Sequence, residues 1–341
     1  MKKHKNISIF IPHAGCPYQC AFCNQKTITA QTKLPHAEDV RRICSQALAE
    51  MQDVSGAEIA FFGGSFTAIP KEYRLELLES AQEFIGENKF SGIRISTRPD
   101  CISREILEIL KKYHVTAIEL GAQSMSNAVL KANRRGHTAE QVVKSAKLIQ
   151  KYHFELGLQT MFGLYKSTWS DELETGWQIR DLHPDTVRIY PVVILKHTEL
   201  AELYQAGYYQ LFPFAEAVAF IGQQMMQYQE AGIRVIKCGL HASEFVEKDM
   251  LAGYYHPAFR ELCENHIYLE KINSLIVDAL NHKQTVPEVF AVRPDCISKA
   301  TGQKKANLSK IQERYGIKIK IIGEDNLKLY EIKSAGESVC I

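Results

Sequence analysis

The stretch Cys16-Pro17-Tyr18-Gln19-Cys20-Ala21-Phe22-Cys23 follows a short apolar run, Ile7 to Ile11, and spaces three cysteines as C-x3-C-x2-C with no fourth cysteine nearby. Cubane iron-sulfur clusters are usually held by four thiolates, so three closely spaced ones point to a [4Fe-4S] cluster with one iron open to another ligand. A zinc site is an alternative, and it needs a fourth donor such as His13 or a distant cysteine to complete its tetrahedron. Unpaired packed thiols are a third reading. A disulfide framework does not suit nine cysteines without even spacing in 341 residues that carry no apolar secretory segment. The chain therefore reads as reduced and cytoplasmic.

Composition agrees with this class without specifying it. A hydrophobic fraction of 45% with 23% charged residues is ordinary for a globular protein. No run of eighteen apolar residues could span a bilayer, so no membrane partner is expected. The net charge of +2 says little until it is read by region.

From Ile7 to about Ile236, short β-branched or aromatic runs alternate with longer segments of helical periodicity, the rhythm of repeated βα units. Candidate strands are Ile7 to Ile11, Glu58 to Phe62, Gly92 to Ser96, Ala117 to Leu120, Leu156 to Met161 and Thr186 to Tyr190. Thr138 followed by Gln141 has the form of a capping box ahead of the apolar stripe Val142, Val143, Ala146 and Ile149. Six such units either curl into a partial barrel or open into a doubly wound sheet, and periodicity leaves both open. In either case the unusual residues cluster just after predicted strands: the cysteines, Gly63-Gly64, Thr97-Arg98-Pro99-Asp100 and Gln123-Ser124. That is the rim on which a barrel enzyme builds its site.

The cysteine spacing resembles that of the radical S-adenosylmethionine (SAM) superfamily. The resemblance implies an α/β fold, a partial (β/α)6 barrel, with the amino and carboxylate groups of SAM on the open iron. It also implies an external electron donor such as flavodoxin or ferredoxin, whose electron splits SAM into methionine and a 5'-deoxyadenosyl radical that takes hydrogen from substrate. By the same resemblance Phe22 would lie beside the adenine, with simple packing as the other reading. Gly63 and Gly64 would bring bare backbone to the SAM amino group, although Ser65-Phe66-Thr67 replace the frequent Glu-Pro that follows such a pair.

Ser96-Thr97-Arg98-Pro99-Asp100 and Glu119-Leu120-Gly121-Ala122-Gln123-Ser124 resemble segments of the branch containing the elongator catalytic subunit and the oxygen-independent coproporphyrinogen oxidases. This makes Thr97, Arg98 and Gln123 cofactor candidates, Gln123 for the ribose. Arg135, in Arg134-Arg135-Gly136-His137, would pair with the SAM carboxylate, and Met161, opening Met161-Phe162-Gly163-Leu164, would mark the adenine edge. The run from Arg188 to Leu200, with Gly207-Tyr208-Tyr209 after it, is similar to elongator catalytic subunits in particular. Tyr190 and Lys196 are then substrate-side catalytic candidates, against plain structural roles.

We place the barrel at residues 1–235, a connecting or capping segment at 236–268, and a small α+β domain at 269–341. In the last, Leu269, Ile272, Ile276, Val277 and Leu280 form the face of an amphipathic helix, and Val286 to Val292 reads as a strand. The segment from Val292 to Leu308 resembles a KH nucleic-acid-binding motif. Gly302-Gln303-Lys304-Lys305 stands where such modules carry the G-x-x-G loop that approaches the nucleic-acid backbone, with lysine in place of the second glycine. Between Arg293 and Lys320 eight basic side chains face two acidic ones, a net +6 suited to phosphates. A solvated helix pair is the plainer reading.

Together these features describe a radical SAM enzyme that modifies RNA, most simply a tRNA base. The alternatives are a radical SAM enzyme for a small molecule or porphyrin and a non-catalytic cluster-containing RNA-binding protein. No stretch remains for the acetyltransferase domain of elongator catalytic subunits, so acyl chemistry would call for a partner that donates the acyl group. Cys44, Cys101, Cys238, Cys263, Cys296 and Cys340 are too scattered to suggest a second cluster.

Overall fold

The computed structural model describes residues 5–12, 14–24, 33–240 and 244–335. The chain divides into two compact units, one of residues 1–211 and 231–255, the other of residues 212–230 and 256–341.

The first unit is built on parallel strands: β1 (Lys5–Ile11), β2 (Ala57–Gly63), β3 (Gly92–Thr97), β4 (Val115–Gln123), β5 (Glu155–Phe162) and β6 (Thr186–Pro191). These contain the six expected strands. Between them run the helices α1 (Ala37–Glu50), α2 (Lys71–Gln82), α3 (Arg104–Lys112), α4 (Asn127–Ala132), α5 (Ala139–Lys151) and α6 (Trp169–Asp181). Further on come β7 (Val193–Leu195), α7 (Glu199–Gln205), β8 (Arg234–Cys238), α9 (Glu244–Asp249) and β9 (Met250–Gly253); α8 (Phe214–Glu230) belongs to the second unit.

The strand order is β1-β2-β3-β4-β5-β6-β8 and every neighbouring pair is parallel. A doubly wound sheet reverses its order at a switch point. Here the order never reverses, so every crossover moves the chain one step the same way and the sheet curls into a partial barrel. The seventh strand, β8, extends the expected six. The capping box of α5 forms as expected, with Gln141 N–H donating to Thr138 Oγ1 at 3.3 Å and Thr138 N–H to Gln141 Oε1 at 2.9 Å. Its Val142, Ala146 and Ile149 are fully buried.

The short hairpin-like pair β7 and β9 is antiparallel. It makes Met250–Gly253 a strand and leaves Tyr254 only 2% exposed, ahead of a turn at Pro257-Ala258.

In the second unit α8 packs along α10 (Phe259–Asn281), closely enough that a Cβ on Gly222 would stand 3.0 Å from the Cys263 carbonyl oxygen. There follow β10 (Val289–Val292), α11 (Ile297–Thr301), α12 (Ala306–Tyr315), β11 (Lys320–Gly323) and β12 (Ile332–Ser334), with sheet order β11-β10-β12. Leu269, Ile272, Ile276, Phe290, Ile311 and Ile319 make its core. Val277 and Leu280 do not join that face and are exposed, at 37% and 52%. The boundaries drawn at 235/236 and 268/269 fall inside β8 and inside α10. A strand paired on both sides of a bulge at Ile236 and an unbroken 23-residue helix leave no linker at either point.

Candidate functional site

The cysteine loop leaves β1 and is fixed by its backbone. Gly64 N–H donates to the Ile11 carbonyl at 2.8 Å and Ser65 N–H to the Ala14 carbonyl at 2.9 Å, so the loop lies directly on the glycine pair. A Cβ on Gly64 would sit 1.8 Å from the Ala14 oxygen, and Gly63 has φ +110 with the Ile11 oxygen 2.7 Å from where its Cβ would be. Only glycine fits at either position. Farther along, Ala21 N–H donates to the Asn133 carbonyl at 3.2 Å and the Ala21 carbonyl accepts from Leu200 N–H at 2.8 Å, which ties the loop to the ends of α4 and α7.

Cys16, Cys20 and Cys23 line one cavity of about 140 Å³, with Phe22, Gly63, Gly64, Thr97, Arg98, Gln123 and Arg135 on the same wall. Among the described residues no three His, Cys, Asp or Glu donors gather closely enough to hold a single metal ion. A cubane is several ångströms across and spreads its ligands, whereas tetrahedral zinc draws them to about 2.3 Å from one centre. His13, the nearby fourth donor of the zinc reading, lies outside the described residues. The Cys16 thiol is exposed and lies 3.8 Å from Ser65 Oγ.

Among the described residues, two buried polar atoms on this wall lack partners: Gln123 Oε1 and Arg135 Nε. Gln123 sits just past a bulge in the β4–β5 pairing and holds φ +68, which turns its amide toward the cavity. An orphaned acceptor and an orphaned guanidinium donor suit a ligand carrying both donors and a carboxylate, as SAM does. Arg98 is braced against Asp100 at 2.9 and 3.1 Å, donates to the Arg135 carbonyl, and lies over the Tyr18 ring at 5.0 Å. Thr97 Oγ1 is 2.6 Å from Thr67 Oγ1, so its hydroxyl is already engaged.

A larger cavity of about 510 Å³ adjoins the first, sharing Phe22, Cys23, Gly63, Ser96, Gln123 and Gln159 as walls. Met161 and Tyr190 line it, together with Phe10, Phe62, Arg188 and Lys237. Lys196 lines neither cavity; its ammonium is exposed and donates to the Lys248 carbonyl at 3.1 Å.

Sequence reading did not find the polar floor beneath these cavities. Arg94, fully buried, meets Glu58 at 2.7 Å, Glu155 at 2.8 Å and Glu119 at 3.3 Å. Glu119 also accepts from Arg188 at 2.6 and 2.8 Å and from Gln159 at 2.7 Å. Arg188 stacks 5.0 Å over Phe62. Gly157, opposite Glu119, makes this possible, since a Cβ there would come within 2.8 Å of Glu119 Cγ. Burial pushes the Tyr190 hydroxyl pKa up, with the Arg188 cation opposing. The available signal was a charged residue at mid-strand in β3, β4 and β6, where an all-apolar run is the norm.

In the second unit the Gly302–Lys305 loop joins α11 to α12, with φ +80 at Gly302, +52 at Lys304 and +63 at Lys305. Asn307 Nδ2 pins it by donating to Asn265 O at 2.8 Å and Ala300 O at 3.1 Å. A Cβ at Gly302 would lie 2.9 Å from the Asn307 nitrogen. Lys304 and Lys305 are exposed, whereas Gly302 is buried and Gln303 half-buried.

The profile of the Radical SAM superfamily matches residues 10–175, and that of the Radical_SAM C-terminal domain matches residues 184–270. An uncharacterized protein of Methanocaldococcus jannaschii is 30% identical over 209 residues, 59% of this chain and 60% of its own length. A tRNA uridine(34) acetyltransferase of the same organism is 30% identical over 185 residues, 48% of this chain and 34% of its own length. The chain thus spans less than two thirds of each of these curated relatives. Among solved structures, the archaeal Methanocaldococcus infernus Elp3 with an N-terminal deletion superposes with a TM-score of 0.56 at 19% identity, over 79% of this chain and 68% of that one, a likeness of fold.

Proposed function

This chain belongs to the radical SAM superfamily, whose members use a [4Fe-4S] cluster and SAM, and we propose that it is an RNA-modifying enzyme acting on a tRNA base. The observation that carries the chemistry is one cavity walled by Cys16, Cys20 and Cys23 that also holds the orphaned Gln123 and Arg135 atoms and opens onto a second cavity. When bound, cluster and cofactor supply a carbon radical that takes hydrogen from substrate.

The protein's own residues hold and enclose. Cys16, Cys20 and Cys23 hold the cluster; Gly63 and Gly64 admit the cofactor's amino end against bare backbone; Arg135 and Gln123 meet its carboxylate and ribose; Phe22 and Met161 border the adenine. The aromatic walls Phe10, Phe62 and Tyr190 exclude water from the second cavity, where a base would be held against the Gln159 amide and the Arg188 face. Tyr190 is the substrate-side candidate that reaches this space, while Lys196, pointing away from both cavities, serves the β7–β9 turn instead.

The RNA substrate rests on the tRNA-directed name of a relative and on the basic Gly302–Lys305 loop of the second unit. We assign that unit a KH-like role in gripping the nucleic-acid backbone. The reaction would take its electron from a flavodoxin or ferredoxin in the cytoplasm, and any acyl group from a partner protein. The test is incubation of the reconstituted enzyme with reductant, SAM and tRNA from cells lacking the gene, followed by mass spectrometry of the nucleosides. A new modified nucleoside is expected. SAM cleavage that leaves every nucleoside mass unchanged, but proceeds with a small acid or porphyrin, would overturn the RNA reading.

A further inference from the structure

We infer that Arg135 tunes the reduction potential of the cluster by donating a charge-assisted hydrogen bond to the sulfur of Cys20, a role that rests on Cys16, Cys20 and Cys23 holding a cluster. Arg135 Nη1 lies 3.1 Å from Cys20 Sγ, and its Nη2 donates to the Gly121 carbonyl at 2.6 Å. The two bonds fix the plane of the guanidinium, leaving Nε as the atom free for a ligand carboxylate. The sulfur contact and a cofactor contact are thus separate functions of one side chain.

The charge balance points the same way. Arg135 is 6% exposed, and among the described residues no carboxylate pairs with it. The nearby acid, Asp100, is taken by Nε and Nη2 of Arg98. A buried cation is costly without a counter-charge. Three thiolates around a cluster provide that counter-charge. A Cβ on Gly121 would stand 2.9 Å from Gln123 Nε2 and 3.1 Å from Arg135 Nη2, so glycine there leaves room for both side chains.

Hydrogen bonds and charge at ligand sulfurs are among the main determinants of cluster potential. Reduction adds one electron from the external donor and makes or breaks no bond, so a fixed cation beside Cys20 favours the reduced form. Loss of Arg135 therefore makes the cluster harder to reduce.

The experiment is an EPR-monitored redox titration of the reconstituted full chain without SAM, which removes any cofactor contact from the comparison. In Arg135→Gln the ratio of reduced to oxidised cluster at a fixed ambient potential should fall at least tenfold, a downward shift of 59 mV for a one-electron couple. Arg135→Lys, which keeps the charge but not the fork, should shift in the same direction by less. Gly121→Ala, which crowds Nη2, should do likewise and serves if the Gln variant fails to take up iron. Ratios within twofold of wild type in the loaded variants overturn the inference even if SAM binding weakens, since Arg135 would then serve only the cofactor. A wild-type chain that takes up no cluster removes both this inference and the reading beneath it.

Discussion

Replacing Glu119 by Gln tests the polar floor of the barrel, because this one carboxylate closes the network. It accepts from Arg188 through Nε and Nη2, from Arg94 and from Gln159. Arg94 keeps Glu58 and Glu155 after the change, whereas Arg188 keeps no carboxylate among the described residues. Breaking a buried pair by removing one partner costs about 3–5 kcal/mol. The Gln oxygen still accepts one bond, so a loss of about 3 kcal/mol is expected. Trp169 and Trp177 are the only tryptophans and both lie in the first unit, so urea unfolding followed by their fluorescence reports on the barrel alone. Adding Arg188→Met removes the stranded cation and should recover at least about half of the loss. A single variant within about 1 kcal/mol of wild type, or a double variant no more stable than the single, would refute the reasoning.

Gly64→Ala drives a methyl group into the Ala14 carbonyl 1.8 Å away, so the cysteine loop must shift; iron bound per chain after reconstitution should fall at least twofold, and full loading would contradict the seating described. Glu172 accepts from Gly163 N–H at 2.8 Å and from Ser167 Oγ at 2.6 Å, and burial pushes its pKa up to about 7 from 4.5. A raised carboxyl pKa means the unfolded chain gives up the proton first, so its contribution to stability is full below about pH 4.5 and declines as pH rises toward 7. The decline is at most about 3 kcal/mol, and Glu172→Gln should flatten it in urea unfolding measured at pH 5 and pH 7.5; an unchanged slope would be the contrary result. Lys304→Ala with Lys305→Ala should weaken tRNA binding and reduce the slope of log affinity against log salt by about 1.4, two contacts at about 0.7 each for single strands. Fluorescence anisotropy at several salt concentrations reads both, and an unaltered slope would free the loop of any phosphate role.

The strands were readable because each is a compact β-branched or aromatic run, such as Ile7 to Ile11, whose burial needs no knowledge of its neighbours. The closing strand was less so, since Arg234–Cys238 offers only Val235-Ile236 between two basic residues and lacks the longer apolar run of the other strands. Residues carried by short motifs, from the cysteines to Arg135, converge on one cavity because they all lie in the segments that lead from a strand's C-terminal end to the next long helix. What the sequence could not show is register. Arg94, Glu119, Gln159 and Arg188 are far apart along the chain, and only parallel pairing sets them side by side. Tyr254 was hidden for a similar reason: its place edge-on to Phe162, at 5.5 Å, depends on β9 returning to β7. Lys196 shows the converse, a residue singled out by a motif whose side chain the turn directs outward.

The most direct measurement follows isotope-labelled SAM in anaerobically reconstituted protein with a reductant. The account predicts labelled 5'-deoxyadenosine from the wild type, an EPR signal of the reduced cluster that changes when SAM is added, and neither in Cys20→Ala. Protein that binds only zinc, or a cubane whose spectrum is indifferent to SAM and releases no nucleoside from it, would contradict the account.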